Sequence, residues 1–181
     1  MDDVMSARDV KEEGLRLFQE GLYPEAADRF RKARDMFVAE GDEVEAAEML
    51  NNLGVIHRMR REWDEAIAAL EEARAAFAAL GDRSREAQVL GNLGGLHASQ
   101  GQREEAMEYL RQAADAFAAL GDHQRRGETL LALGVQQWKL GERQEGLTTY
   151  QVGLRTLDQP SIFQRILRAL LSLRNRLLGA G

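Results

Sequence analysis

The sequence predicts an all-α protein, an α-solenoid of four helical hairpins followed by a C-terminal helix. Two observations predict this fold: a repeat with a period of 40 residues, and a helix-favouring composition. Ala, Leu, Glu and Arg dominate the 181 residues, whereas Pro occurs only twice, and this balance favours helices over strands. Hydrophobic residues make up 44% of the chain, which is enough for a substantial core.

The repeat keeps its register without an insertion. The hexapeptide Phe77–Asp82 returns unchanged as Phe117–Asp122, and such agreement at a fixed period is typical of repeat architectures. The recurring glycine–aspartate pairs are Gly41-Asp42, Gly81-Asp82 and Gly121-Asp122. We therefore divide residues 1–158 into four units, at about 3–40, 43–80, 83–120 and 123–158, and assign 160–178 to the C-terminal helix.

Each unit is predicted to contain two antiparallel helices, A and B. In the second unit, Asp42 is the expected N-cap of a helix A that runs from about Glu43 to Arg60, and Glu45 would complete a capping-box-like pair. Gly41 is expected to end the preceding helix in the left-handed conformation. Helix B is expected from about Asp64 to Leu80, because its apolar residues are spaced alternately by four and three along one face. These apolar residues are Ala66, Leu70, Ala73, Phe77 and Leu80.

A glycine recurs in the middle of every helix A, where it costs about 1 kcal/mol relative to alanine. A cost repeated at one position indicates that a neighbouring helix approaches the backbone there. The small residue at the start of helix B is the expected contact, since it would let the two helices touch closely. The glycines are Gly14, Gly54, Gly94 and Gly134, and the facing alanines are Ala26, Ala66 and Ala106.

These features resemble the tetratricopeptide repeat: Leu-Gly in helix A, Ala in the first turn of helix B, an aromatic residue or Leu four positions later, and then Ala. The 40-residue period is similar to the longer repeats of kinesin light chains and related adaptors. The resemblance implies a right-handed solenoid with a concave groove lined by the A helices. By register, the residues that it places in a peptide- or protein-binding groove include Lys11, Phe18, Asn51, Asn52, Arg58, Gln88, Asn92, Leu131 and Trp138.

Two features of this groove are suggestive. Asn52 and Asn92 repeat at one position, and an amide can bond both the donors and the acceptors of an extended peptide. The alternative is that such an Asn bonds its own neighbouring repeat. Phe18 and Trp138 are equivalent by register, and large aromatic residues serve either as interface anchors or as ordinary packing.

The remaining inventory does not indicate catalysis. His57 and His97 occupy one repeat position and are most simply packing residues, because no HxxxH or HExxH spacing accompanies them. We expect neither a catalytic site nor a metal or cofactor.

The net charge of −6 argues against nucleic acid as a partner. The N-terminal residues 1–4 lack the features of a secretory signal, so we expect a cytoplasmic protein.

The segment after Pro160 differs in character from the repeats. It carries four Arg and no acidic residue, which leaves a net charge of −10 on residues 1–160. A helix here would be amphipathic, with a broad apolar face. It could cap its own array, dock on a partner or a second copy of the chain, or lie on an anionic membrane. The residues expected to carry this interaction are Ile162, Phe163, Ile166, Leu170, Arg165 and Arg168.

The sequence thus favours a non-catalytic adaptor that binds a peptide or partner protein in its groove. The alternatives are a structural assembly protein that self-associates through the C-terminal helix, and docking of that helix on a membrane surface.

Overall fold

The computed structural model describes residues 5–178, and side chains up to residue 172. Within this range the chain forms nine α-helices and no strand, which confirms the predicted all-α class. Residues 3 and 4, the predicted start of the first unit, lie outside the described range. The helices are α1 (Ala7–Gln19), α2 (Tyr23–Glu40), α3 (Glu43–Met59), α4 (Trp63–Ala79), α5 (Arg83–Gln100), α6 (Arg103–Ala119), α7 (His123–Leu140), α8 (Arg143–Thr156) and α9 (Ile162–Leu178).

The chain divides into two compact units: unit 1 extends to Leu96, and unit 2 begins at His97. In unit 1, α2 packs against both α1 and α3, and α3 packs against α4. Its core contains Phe30, Phe37, Met49 and Ile56, each no more than 1% exposed. Apolar residues at helical spacing thus meet on one side of each helix, as the repeat pattern predicts.

Unit 2 contains the pairs α6–α7 and α7–α8, and α9 follows them. Met107, Leu110 and Leu133 form a buried cluster against which Leu130 packs. In the part of the chain that is described, no helix has both the length and the apolar character needed to span a bilayer.

The helix ends follow the local signals in the sequence, with one correction. Asp42 caps α3 by accepting a hydrogen bond from the Glu45 backbone N–H at 3.1 Å, and Gly41 ends α2 with φ of 75°. The Glu45 side chain, however, bonds Lys11 Nζ at 2.6 Å in place of the expected capping-box contact. A cation from α1 therefore binds the carboxylate that the local sequence pattern assigns to a cap.

Arg61 stands in the turn between α3 and α4 with φ of 62°, where the equivalent turns of the other units contain Gly21, Gly101 and Gly141. A residue with a Cβ pays about 1–2 kcal/mol in this left-handed region. The second unit therefore forms the same left-handed turn as the other units, but without the glycine that is best suited to this conformation.

Gly14, Gly54 and Gly134 lie where a neighbouring helix approaches, as predicted. For Gly14 and Gly54, however, the nearest atoms differ from expectation. A Cβ at Gly54 would lie 2.5 Å from Leu70 Cγ, and 3.3 Å from the carbonyl oxygen of Ala66. A Cβ at Gly14 would lie 2.8 Å from the ring of Phe30. The closest contact is therefore with the large residue four positions after the predicted alanine, because that residue projects across the face of helix A.

In the α7–α8 hairpin the two backbones themselves come close. A Cβ at Gly134 would lie 2.6 Å from the Gly146 carbonyl oxygen and 2.8 Å from the Tyr150 backbone nitrogen. Gly146 occupies the position of the alanines in the other units. Two glycines that face each other permit this approach, since neither helix has a side chain at the crossing.

We predict opposite effects for two glycine-to-alanine substitutions in helix interiors. Gly134→Ala should lower the free energy of unfolding by about 1–3 kcal/mol, because the added methyl group would overlap backbone atoms of α8. Gly91→Ala is the matched control: a Cβ there meets nothing within 4 Å, so the substitution should raise stability by about 0.5–1 kcal/mol. Urea denaturation of both variants measures the difference. A gain in stability for Gly134→Ala would contradict the close approach of α7 and α8.

Candidate functional site

Most of the residues that the sequence predicts for binding lie on α1, α3 and α5, within unit 1. We call this set of residues the A-helix face, because they belong to the first helices of the hairpins. Polar contacts join these helices: Lys11 Nζ lies 2.6 Å from Glu45 Oε2, and Arg85 Nε lies 3.3 Å from Glu48 Oε2. The face consists of Lys11 on α1, Asn51, Asn52 and Arg58 on α3, and Gln88, Gly91, Asn92 and Gly95 on α5.

The asparagines of this face have different roles. Asn92 Nδ2 donates a hydrogen bond to Asn51 Oδ1 at 2.7 Å, and Asn51 is only 2% exposed. Asn92 thus makes the contact between neighbouring repeats that is the alternative to ligand binding, although its half-buried amide keeps further hydrogen-bonding capacity. Asn52 is half-buried, and among the described residues its side chain has no hydrogen-bond partner.

An ion-pair network fixes the start of α5. Arg85 Nη1 lies 2.7 Å from Asp82 Oδ2. The Arg85 backbone N–H also donates to Asp82 Oδ1 at 3.0 Å, and these bonds hold the pKa of the Asp82 carboxyl below its usual value. Because the folded-state pKa is lowered, this contribution to stability is present above the usual carboxyl pKa and is lost as the pH falls through the lowered value. Arg85 is therefore a structural cation.

Arg58 belongs to the A-helix face and, among the described residues, has no ion pair of this kind. Its guanidinium contacts α5 at Gly95, where a Cβ would meet Nη1. Arg58 is half-buried, and this burial lowers the pKa of its guanidinium from the ordinary arginine value. Gln88, also predicted for the groove, is half-buried on α5.

Phe18 is tied into the core. Its ring lies 5.7 Å from that of Tyr23, and it packs against the buried residues of unit 1. The packing role that the sequence left open therefore accounts for most of its surface.

The two repeat-equivalent histidines make similar contacts. His57 Nδ1 lies 2.6 Å from Glu62 Oε2, and His97 Nδ1 lies 2.7 Å from Gln102 Oε1. Each therefore binds a side chain five residues ahead, in the turn that follows its helix. Across the described residues, no three His, Asp or Glu side chains are grouped as metal ligands would be.

In unit 2, Trp138 is 52% exposed and borders an apolar cavity of about 220 Å³. Arg143 lies over its indole ring at 5.9 Å. Leu131, two helical turns earlier on α7, is half-buried. The cavity is lined by Gly134, Val135, Trp138, Lys139, Gly146, Leu147 and Tyr150. The facing glycines of α7 and α8 thus lie beside the exposed tryptophan.

The apolar residues predicted for the tail interaction are solvent-exposed on α9. The exposed fractions are 72% for Ile162, 71% for Phe163, 54% for Ile166 and 59% for Leu170. Arg165 is exposed and Arg168 half-buried. The side chains of Leu173, Arg174, Arg176, Leu177 and Leu178, which complete the predicted amphipathic helix, lie outside the described side chains.

Three contacts between these helices were not predicted from the sequence. Glu45 on α3 binds Lys11 on α1, and Arg85 on α5 binds Glu48 on α3. Gly95 on α5 leaves space for the Arg58 guanidinium. Gly95 had a detectable signal, because the other units carry Leu15, Val55 and Val135 at its position. The ion pairs had none, since they join residues more than 30 positions apart.

Comparisons with known proteins agree with the repeat pattern. The family model of the tetratricopeptide repeat matches residues 14–79 and, in a second alignment, 45–119. None of the curated proteins with which the chain was compared gives a significant match.

Several solved structures share the fold at low sequence identity. Aspartyl phosphate phosphatase F from Bacillus subtilis has a TM-score of 0.79 and 16% identity, over 83% of this chain and 39% of that protein. BtubC (BKLC) from P. vanneervenii has a TM-score of 0.67 and 21% identity, over 92% and 64%. The Rap conjugation gene regulator of plasmid pLS20, in complex with the Phr* peptide, has a TM-score of 0.69 and 19% identity, over 97% and 54%. This chain thus spans only about 40% to 65% of the length of these proteins.

Proposed function

Because the chain belongs to the tetratricopeptide repeat family, we propose that it is a non-catalytic adaptor that binds a peptide, or an extended segment of a partner protein, on the A-helix face. The observation that carries the proposal is the pair of half-buried polar side chains on α3, Asn52 and Arg58, which have no partner among the described residues. Half-buried polar groups that the protein does not satisfy itself are suited to bond a ligand.

The amide of Asn52 can donate to one peptide group and accept from another, so it recognises an extended main chain without regard to side chains. Gly91 of α5 supports the same mode of binding. It is half-buried, and the space next to its Cα is open to 4 Å. A peptide backbone could approach α5 closely there, as it could not beside a larger residue.

The pLS20 regulator supports a peptide as the class of ligand, since its structure holds the Phr* peptide. The neighbour named a phosphatase shares the fold at 16% identity, which carries no activity over to this chain. Our proposal is binding without turnover. On the A-helix face, Lys11 is paired with Glu45, and next to it Arg85 is paired with Asp82 and Glu48, so these groups hold helices together.

We predict that Asn52→Ala weakens peptide binding about 3- to 10-fold, the worth of one or two neutral hydrogen bonds. Peptides are first selected from a random display library with the full chain as bait, and affinities are then measured by calorimetry. Ala68→Ser, at an exposed position of α4, is the control. The melting temperature of Asn52→Ala should stay near that of the wild type, since no side-chain hydrogen bond within the described chain is lost.

Asn92→Ala is unsuitable for this test, because it would leave the buried side-chain oxygen Oδ1 of Asn51 unpaired at a cost of about 1–3 kcal/mol. Failure to select any peptide, or equal affinities for Asn52→Ala and the wild type, would contradict the groove mechanism.

The exposed apolar residues of α9 favour a second candidate function, self-association through this helix. We predict that the average mass of the full chain, measured by light scattering, rises with concentration, and that Ile166→Glu abolishes the rise. Ala118→Glu, at an exposed position of α6, should leave it unchanged. A monomeric mass at all concentrations would exclude self-association. In that case, co-sedimentation of the full chain with anionic liposomes would favour the membrane alternative.

A further inference from the structure

Arg58 is a half-buried cation that the protein itself does not neutralise. Among the described residues its side chain has neither an ion pair nor a hydrogen bond, and the guanidinium stays charged at neutral pH. The acidic residues of unit 1 near this part of the chain have other partners. Glu62 binds His57 at 2.6 Å and Arg60 at 2.8 Å, and Glu48 binds Arg85. Burying a charge in this way is unfavourable unless a partner arrives.

The opposite helix is shaped to receive the guanidinium. Arg58 Nη1 contacts the position that a Cβ of residue 95 would occupy, and Gly95 is the one glycine among four repeat-equivalent residues. A glycine in a helix interior costs about 1 kcal/mol relative to alanine. The third unit therefore carries a locally unfavourable residue at the point where Arg58 needs space.

Polar groups that can hold a ligand lie on the same two helices. Asn92 precedes Gly95 by about one turn of α5, and Asn51 precedes Arg58 by two turns of α3, and the two asparagines are hydrogen-bonded to each other. A carboxylate at Arg58 could accept two parallel N–H bonds from the planar guanidinium. The hydrogen bond between Asn51 and Asn92 would at the same time fix the distance between α3 and α5 beside the bound carboxylate.

We propose that Arg58 binds a carboxylate of the peptide held on the A-helix face, an inference that rests on the proposed function. A monoanion suits this position better than a phosphate dianion, because one guanidinium supplies the charge and residues 1–160 carry a net charge of −10. The carboxylate has two sources, an Asp or Glu side chain or the C-terminus of the peptide.

The first part of the test is the stability of the free protein. Arg58→Met keeps the aliphatic bulk and removes the unpaired charge, so its melting temperature should equal or exceed that of the wild type. Arg85→Met is the matched control on α5, and it should melt at a lower temperature because it breaks the pairs with Asp82 and Glu48. A fall for Arg58→Met as large as that for Arg85→Met would show a structural role and overturn the proposal.

The second part is an NMR titration of the full chain with three short N-acetylated peptides: acetyl-Ala-Ala-Glu-Ala-Ala-amide, its Gln counterpart, and acetyl-penta-alanine with a free C-terminus. The Arg58 Nε–H signal, identified by its absence in Arg58→Gln, should shift with at least one carboxylate-bearing peptide and not with the Gln peptide. Arg58→Gln should bind that peptide about 10-fold or more weakly, as expected for charged hydrogen bonds. Arg83→Gln, which makes the same charge change at an exposed position of α5, should bind as the wild type does.

The outcomes separate the two proposals. If the carboxylate-bearing peptides and the Gln peptide shift Asn92 alike and Arg58→Gln binds normally, the carboxylate site is wrong and the peptide-binding face stands. If none of the peptides shifts a signal of α3 or α5, both are wrong. A response to the Glu peptide alone assigns the site to a side chain, and a response to the free C-terminus alone assigns it to the terminal carboxylate.

Discussion

In the hairpins α1–α2, α3–α4 and α7–α8, the two helices approach each other closely at a glycine, and the packing of these hairpins follows from this approach. Glycine at the middle of helix A lets Phe30 or Leu70 of helix B lie directly on the backbone, and in the α7–α8 hairpin it brings two backbones together. This approach fixes which side of helix A is buried against helix B. Polar residues occupy other sides of these helices, and in unit 1 they include those of the A-helix face.

The residues of the A-helix face have two roles. Some bind a neighbouring helix, and others are available to a ligand. The contacts of Lys11 with Glu45, and of Asn92 with Asn51, join neighbouring helices. The side chains of Asn52 and Arg58 have no hydrogen bond or ion pair among the described residues. Groups that fix helix positions keep the available groups in place, so that a ligand meets a prepared arrangement and little ordering is required on binding.

Local signals made most of the fold predictable from the sequence. Asp42 and Gly41 set the ends of their helices through contacts within a few residues, and the spacing of Ala66, Leu70 and Phe77 identifies a buried face without reference to other helices. The tertiary pairings were harder to predict. Glu45 bonds Lys11, and Asn92 bonds Asn51, across 34 and 41 positions of the sequence. These bonds depend on how two helices align. Before that alignment is known, an amide or carboxylate has several equally reasonable partners.

Backbone amide chemical shifts of the full chain, mapped on addition of a peptide selected by display, show where a ligand docks. If ligands dock on the first helices of the hairpins in unit 1, the largest shifts will fall in α3 and α5, around residues 51–58 and 91–95. Shifts confined to α2 and α4, or to α9, would contradict docking on the A-helix face.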